Sequence, residues 1–346
     1  MLALSWTDAA EQLGAIFYFI VLPLLILVGI GYAIQRGFGL DMLTLRRLNF
    51  YFVTPGIIYC SLVESDLRTR NVLIVIAFSV VLQVVVGLLT WAAAALRRVP
   101  RGQWNTMVMT TICYNSGNFG LPLQDLAFRS SGLSEFARSQ QVFVMATQNL
   151  CNFTVGILLA AGGKGRRSWR RNLGHMLRLP PVWVILAAVV TMLLRDATVD
   201  QPWVNWAVQP FWDALQYVSK AFIGIALLTL GAQLATVRPG GAGADGPGDR
   251  PAATKYPISW SVALRLLGGP LAAVALVYAF GLSGLMAQVL LISSASPTAI
   301  NCMLLCLEFD NHPDFAAKAV IYSTLLSPVT VTLVVFVAQS SLLPGF

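Results

Sequence analysis

The sequence predicts an all-α polytopic membrane protein whose ten transmembrane helices form two inverted five-helix repeats, with helices 4 and 9 broken and crossing. Three observations carry this. The chain is 57% hydrophobic and 11% charged, against roughly a quarter charged in an average soluble domain, which excludes a soluble globular fold. Apolar runs of about 20 residues, each long enough to cross roughly 30 Å of hydrocarbon as a helix, recur along most of its 346 residues. Two of those runs carry helix breakers at corresponding places in the two halves.

The spans fall near 14–35, 43–63, 71–95, 104–128, 138–162, 180–194, 211–235, 257–280, 285–307 and 316–340. The first has no Lys or Arg ahead of its apolar run and no small-residue cleavage site, so it is expected to stay as a helix rather than leave as a signal peptide. The fourth is interrupted at Gly117, Gly120 and Pro122. The fifth ends at the basic stretch 164–179, which reads as a cytoplasmic hinge between a first unit, 1–163, and a second, 180–346. The seventh leads into a Gly/Pro/Asp-rich segment, 236–256, expected to be a flexible cytoplasmic loop. The eighth carries Arg265, expected to snorkel to the cytoplasmic side. The ninth is interrupted at Pro297, behind Ser293, Ser294 and Ser296. The tenth is entered through PDFAAKAVIYST, which echoes the SEFARSQQVFVMAT that enters the fifth.

Charge sets the orientation. Arg36, Arg46, Arg47, Arg97, Arg98, Arg101, the 164–179 cluster, Arg238, Arg250, Lys255 and Lys318 fall on one side, and only Arg68, Arg70, Arg129, Arg138 and Arg195 on the other. Basic residues mark the cytoplasmic face, so both termini are expected outside a cell (inner) membrane. The net charge of +8 is thereby a feature of the membrane face and not a nucleic-acid patch. The five cysteines lie in apolar segments and His175 and His312 in loops, without ligand spacing; neither a metal nor a cofactor is expected. No nucleophile with a positioned base emerges, so no catalytic residue is assigned and an enzyme is not expected.

The two breaks are where binding chemistry concentrates. A proline inside a helix removes a donor and clashes with a carbonyl one turn earlier, and polar backbone freed in this way must face protein, water or a ligand. Paired breaks in two inverted halves point to a transporter's substrate site. Pro122 would open a new half-helix, and Ser296-Pro297 reads as an N-cap followed by proline at the first helical position. Both would aim the positive end of a helix dipole at one cavity, a setting suited to a carboxylate.

Tyr114-Asn115-Ser116-Gly117-Asn118-Phe119-Gly120-Leu121-Pro122, Ala226–Leu234 and Ser296-Pro297-Thr298-Ala299 resemble segments of the auxin efflux carrier family of membrane transporters, which includes bacterial permeases for malate and related carboxylates. The resemblance covers nearly the whole chain. It implies fourth and ninth helices that unwind where they cross, and elevator-type alternating access between a scaffold and a transport domain. Phe222-Ile223-Gly224-Ile225 departs from the family's usual proline before the seventh-helix leucine run.

The residues expected to bind substrate are Asn115, Ser116, Gly117, Asn118, Gly120, Pro122, Ser294, Ser296, Pro297, Thr298 and Asn301. Asp125, as an intramembrane acid, is a proton carrier by default, or a cap close to the outer surface. Lys220 is a counter-charge for an anion, or a partner of Asp213. Gln148, Asn149, Asn152, Ser323 and Thr324 either line the cavity or bind helices to one another. The expected function is transport of a small organic anion, with a proton or sodium ion as the coupling ion if there is one. The alternative is a sensor on the same fold that binds without flux. A homodimer would supply the fixed scaffold that an elevator needs.

Overall fold

The computed structural model describes residues 6–64, 69–161, 180–198, 202–237 and 255–340. The 164–179 connection and most of the 236–256 loop lie outside the described residues. Among those described, the chain is helical and has no strand. The first half contains α1 (Trp6–Ile16), α2 (Leu22–Phe38), α3 (Met42–Leu48), α4 (Thr54–Val63), α5 (Thr69–Leu96), α6 (Trp104–Ile112), α7 (Leu121–Ala127), α8 (Ser134–Cys151) and α9 (Ile157–Ala160). The second contains α10 (Pro180–Thr198), α11 (Pro202–Thr236), α12 (Lys255–Ala263), α13 (Gly269–Ala279), α14 (Gly284–Ser294), α15 (Ile300–Glu308) and α16 (Pro313–Gln339).

Prolines dictate much of this segmentation. Single π-helical turns, Phe17–Val21, Asn49–Val53, Ser116–Gly120 and Leu264–Gly268, lead into α2, α4, α7 and α13, whose second residues are Pro23, Pro55, Pro122 and Pro270. In each case the carbonyl four residues before the proline belongs to the third residue of the π turn. That carbonyl has no N–H to bond and is pushed outward by the ring, so the ladder widens locally while the helix continues. Asn118 is the third residue of one such turn.

Among the described residues, six helical runs are long and apolar enough to cross a membrane: Thr7–Phe38, Arg70–Leu96, Ser134–Ala160, Val208–Thr236, Pro257–Ala279 and Pro313–Gln339. The expected fourth and ninth spans are instead pairs of half-helices, α6 with α7 and α14 with α15. The helices pack in two groups. In one, α2 and α4 lie against α11, and α4 also against α10. In the other, α5, α6, α7, α8 and α12–α16 surround the broken helices.

The α2–α11 contact is backbone against backbone. A Cβ on Gly31 would land on the Leu228 carbonyl, and one on Gly231 on the Val28 carbonyl. Small residues that let two membrane helices approach this closely gain dispersion energy along the whole contact.

Candidate functional site

The two breaks meet at the centre of the second group. Residues 113–115 and 297–299 run antiparallel as a single bridge between Tyr114 and Thr298. The Asn115 N–H donates to Pro297 O at 2.8 Å and the Ala299 N–H to Cys113 O at 2.9 Å. This corrects the expected start of the second half-helix. Its N-cap is Ala299, in extended conformation, and not Ser296, because residues 297–299 are committed to the bridge. Pro297 contributes a carbonyl to the crossing and does not sit at the first helical position.

Most of the backbone freed at the breaks is satisfied within the protein. The last carbonyls of α6 each receive a donor from elsewhere: Thr110 O from the Thr298 hydroxyl at 2.8 Å, Thr111 O from Arg265 Nη1 at 2.8 Å, and Ile112 O from the Gln148 amide at 2.8 Å. Ser116 O accepts from the Gln141 amide at 2.7 Å, and the Thr298 N–H donates to the Ser323 hydroxyl at 3.1 Å. An unsatisfied buried carbonyl costs about 1–3 kcal/mol, so these side chains hold the broken helices in place.

Arg265 does not snorkel. It is 1% exposed, and its guanidinium spans the C-terminal ends of both first half-helices, bonding Thr111 O of α6 and Ser294 O of α14. It also lies over the Tyr114 ring, 4.7 Å from the centroid. A fixed cation there neutralises the negative ends of two helix dipoles that converge head to head.

Beside the crossing lies a cavity of about 250 Å³. Its wall combines Asn115, Ser116, Gly117, Asn118 and Tyr114 from the first break with Ala299 and Asn301 from the second, and Met145, Asn149 and Asn152 from the run Ser134–Ala160. The remaining wall comes from the first packing group: Arg46, Asn49, Phe50 and Thr54 from the α3–α4 run, and Gln233 from α11. The cavity therefore lies between the two groups. The Asn49 amide reaches across to Asn118 Oδ1 at 3.2 Å. Asn115 is 9% exposed, and its side chain has no partner among the described residues. No acidic side chain lines the cavity among the described residues.

The expected site residues thus divide. Asn115, Ser116, Gly117, Asn118, Asn149, Asn152 and Asn301 line the cavity. Gly120, Pro122, Ser294, Ser296, Pro297, Thr298, Gln148, Ser323 and Thr324 do not line it. Gly120 is needed for packing, since a Cβ there would collide with the Gln141 amide and lie 3.3 Å from Ser296 Oγ. Asp125 does not line the cavity; it is held by Arg129 at 3.3 Å and Arg138 at 3.6 Å, where it fastens α7 to α8. Lys220 is exposed on α11, beside the Tyr217 ring, and does not reach the cavity. Arg46, Asn49, Thr54 and Gln233 were not anticipated. The one cue in the sequence is Asn49, a polar residue inside the apolar run LNFYFVTPG.

Helices of membrane-spanning length packed around two crossed, broken ones, with a polar cavity at the crossing, define an integral membrane protein of transporter type. The chain belongs to the auxin efflux carrier family: the family described as "Membrane transport protein" matches residues 16–335. It is 26% identical over 322 residues to an uncharacterized transporter of Methanothermobacter thermautotrophicus, covering 90% of this chain and 95% of the relative. It is also 22% identical over 325 residues to an uncharacterized transporter of Methanocaldococcus jannaschii, covering 91% and 96%.

Proposed function

We propose that this protein is a secondary transporter or facilitator of a small organic anion, a carboxylate, which binds in the cavity beside the crossing and moves by elevator-type alternating access. The carrying observation is that cavity's wall: asparagine side-chain amides from both breaks, with no acidic side chain among the described residues. Amide N–H groups and the N-terminal turn of α15 offer donors to an anion.

Ten spans in two inverted repeats fit the packing. Exchanging the first five spans for the last five turns the contact of α2 with α11 into that of α10 with α4, and both contacts are present. Alternating access is supported by the asymmetry of the two ends. At the Arg46 end the groups part to form the cavity. About 22 Å further along the α3–α4 run, at 1.5 Å per residue, the Ser139 hydroxyl of α8 donates to Ser61 O of α4 at 2.7 Å. By the distribution of basic residues, the open end faces the cytoplasm and both termini lie outside.

Flux of labelled succinate, malate and benzoate into proteoliposomes tests this reading. Wild type should carry at least one of them, and Asn118→Ala should raise the half-saturating concentration about 3- to 10-fold, the weight of one hydrogen bond. Binding without flux would favour the sensor. Unaltered kinetics in both Asn115→Ala and Asn118→Ala would remove the cavity from the mechanism.

A further inference from the structure

Arg46 carries the one charge in the cavity wall among the described residues, and no ion pair accounts for it. Its Nε donates to Met42 O at 3.2 Å, within its own helix. The two terminal nitrogens have no partner among the described residues, although the side chain is half-buried. A guanidinium held by Nε, with its outer edge free toward a polar cavity, presents the parallel pair of N–H donors that fits the two oxygens of a carboxylate.

Its place in the fold adds a second consequence. Arg46 lies on α3, which packs on α11 through the turn that follows it, whereas Asn115, Asn118 and Asn301 belong to the broken helices. In the arrangement seen here the cavity joins these two groups. We infer that Arg46 is a specificity-determining ligand for the substrate carboxylate that acts only in the state open at its own end, so that the two faces of the protein differ in anion affinity. This rests on the transport reading above, and names the charge selection and the sidedness of that same cavity.

Once the group bearing the crossing slides along the first, an anion held by the asparagines would leave Arg46 behind. The contact therefore favours capture, or slows release, at one face only. A charge-assisted bidentate contact should account for about a 10- to 100-fold difference in affinity.

The test uses the full chain in right-side-out and inverted membrane vesicles, with labelled succinate, malate and benzoate as probes. Purified protein is titrated in parallel with the same three anions and with neutral succinamide. Arg46→Gln should raise the half-saturating concentration about 10- to 100-fold from the Arg46 face, and leave the opposite face within about 2-fold. It should also abolish the preference for succinate over succinamide, with partial recovery in Arg46→Lys. Lys220→Gln, remote from the cavity, is the matched loss of one charge and should change neither face.

An equal shift at both faces would overturn the state-specific role, and no shift at either would overturn the assignment of Arg46 while leaving transport standing. Wild-type binding that is lost in Arg46→Gln, without flux in any vesicle, would retain the anion contact and refute transport. Wild type that neither binds nor carries any of the three anions refutes both.

Discussion

Arg265 is the residue that sequence reasoning placed least well, because a lone arginine one or two turns into an apolar span satisfies the rule for snorkelling. Burial is tolerable here since the side chain has three uses at once: a bond to Thr111 O, a bond to Ser294 O, and the face of Tyr114. None of these partners is near Arg265 in sequence. Arg265→Met should leave both carbonyls without donors at about 1–3 kcal/mol each, lowering the thermal unfolding temperature in detergent well below that of wild type. An unchanged transition would show that the arginine is not what holds the half-helices. Asp125 shows the reverse case. An acid in an apolar span reads as a proton carrier or as a cap near the outer surface, and its two arginine partners, Arg129 and Arg138, fasten α7 to α8.

At the level of the element, prolines were legible where glycines were not. Pro122 opens α7 as its position suggests, because the missing donor acts locally. Gly31 and Gly231 carry no such local sign, and their use appears only when α2 and α11 are brought together. Gly231→Ala should force that contact apart at about 1–3 kcal/mol, the usual cost of overpacking, and a stability equal to wild type would contradict the close approach. The short α3 that bears Arg46 depends on its cap. The Leu43 N–H donates to Asp41 Oδ1 at 3.0 Å, and the Thr44 hydroxyl donates to Oδ2. The Thr44 bond, then the Leu43 bond, hold the Asp41 carboxyl below its usual range. A depressed carboxyl stabilises the fold above its unfolded pKa, near 4, and that contribution is lost as pH falls through the lower folded value. Hydrogen-exchange protection of α3 should therefore fall below about pH 4, and Asp41→Ala should show the same low protection at neutral pH.

For the whole molecule, the informative contact is the one at the closed end. Ser61 and Ser139 belong to different packing groups, and both are buried. Cysteines introduced by Ser61→Cys and Ser139→Cys should cross-link on oxidation and hold the closed end shut. Flux should then stop and return with reductant, while binding from the Arg46 side persists. Undiminished flux through the cross-linked protein would mean that the two groups do not move relative to one another.

By itself the sequence determined the membrane class, the long apolar helices and the breaks in two others. Each of these follows from composition or from backbone effects that act within a turn or two. Which polar residues face the cavity and which bind the broken helices together was decided only by tertiary structure. Asn115 and Thr298 are equally polar and equally close to a break, but Thr298 is engaged by Thr110 O and Ser323, whereas the Asn115 side chain is left facing the cavity. The same holds for Arg46, whose place in that wall depends on how α3 lies against a crossing about 70 residues away in the chain. Helix breaks are properties of local backbone, while satisfaction of what they free requires partners that only packing supplies.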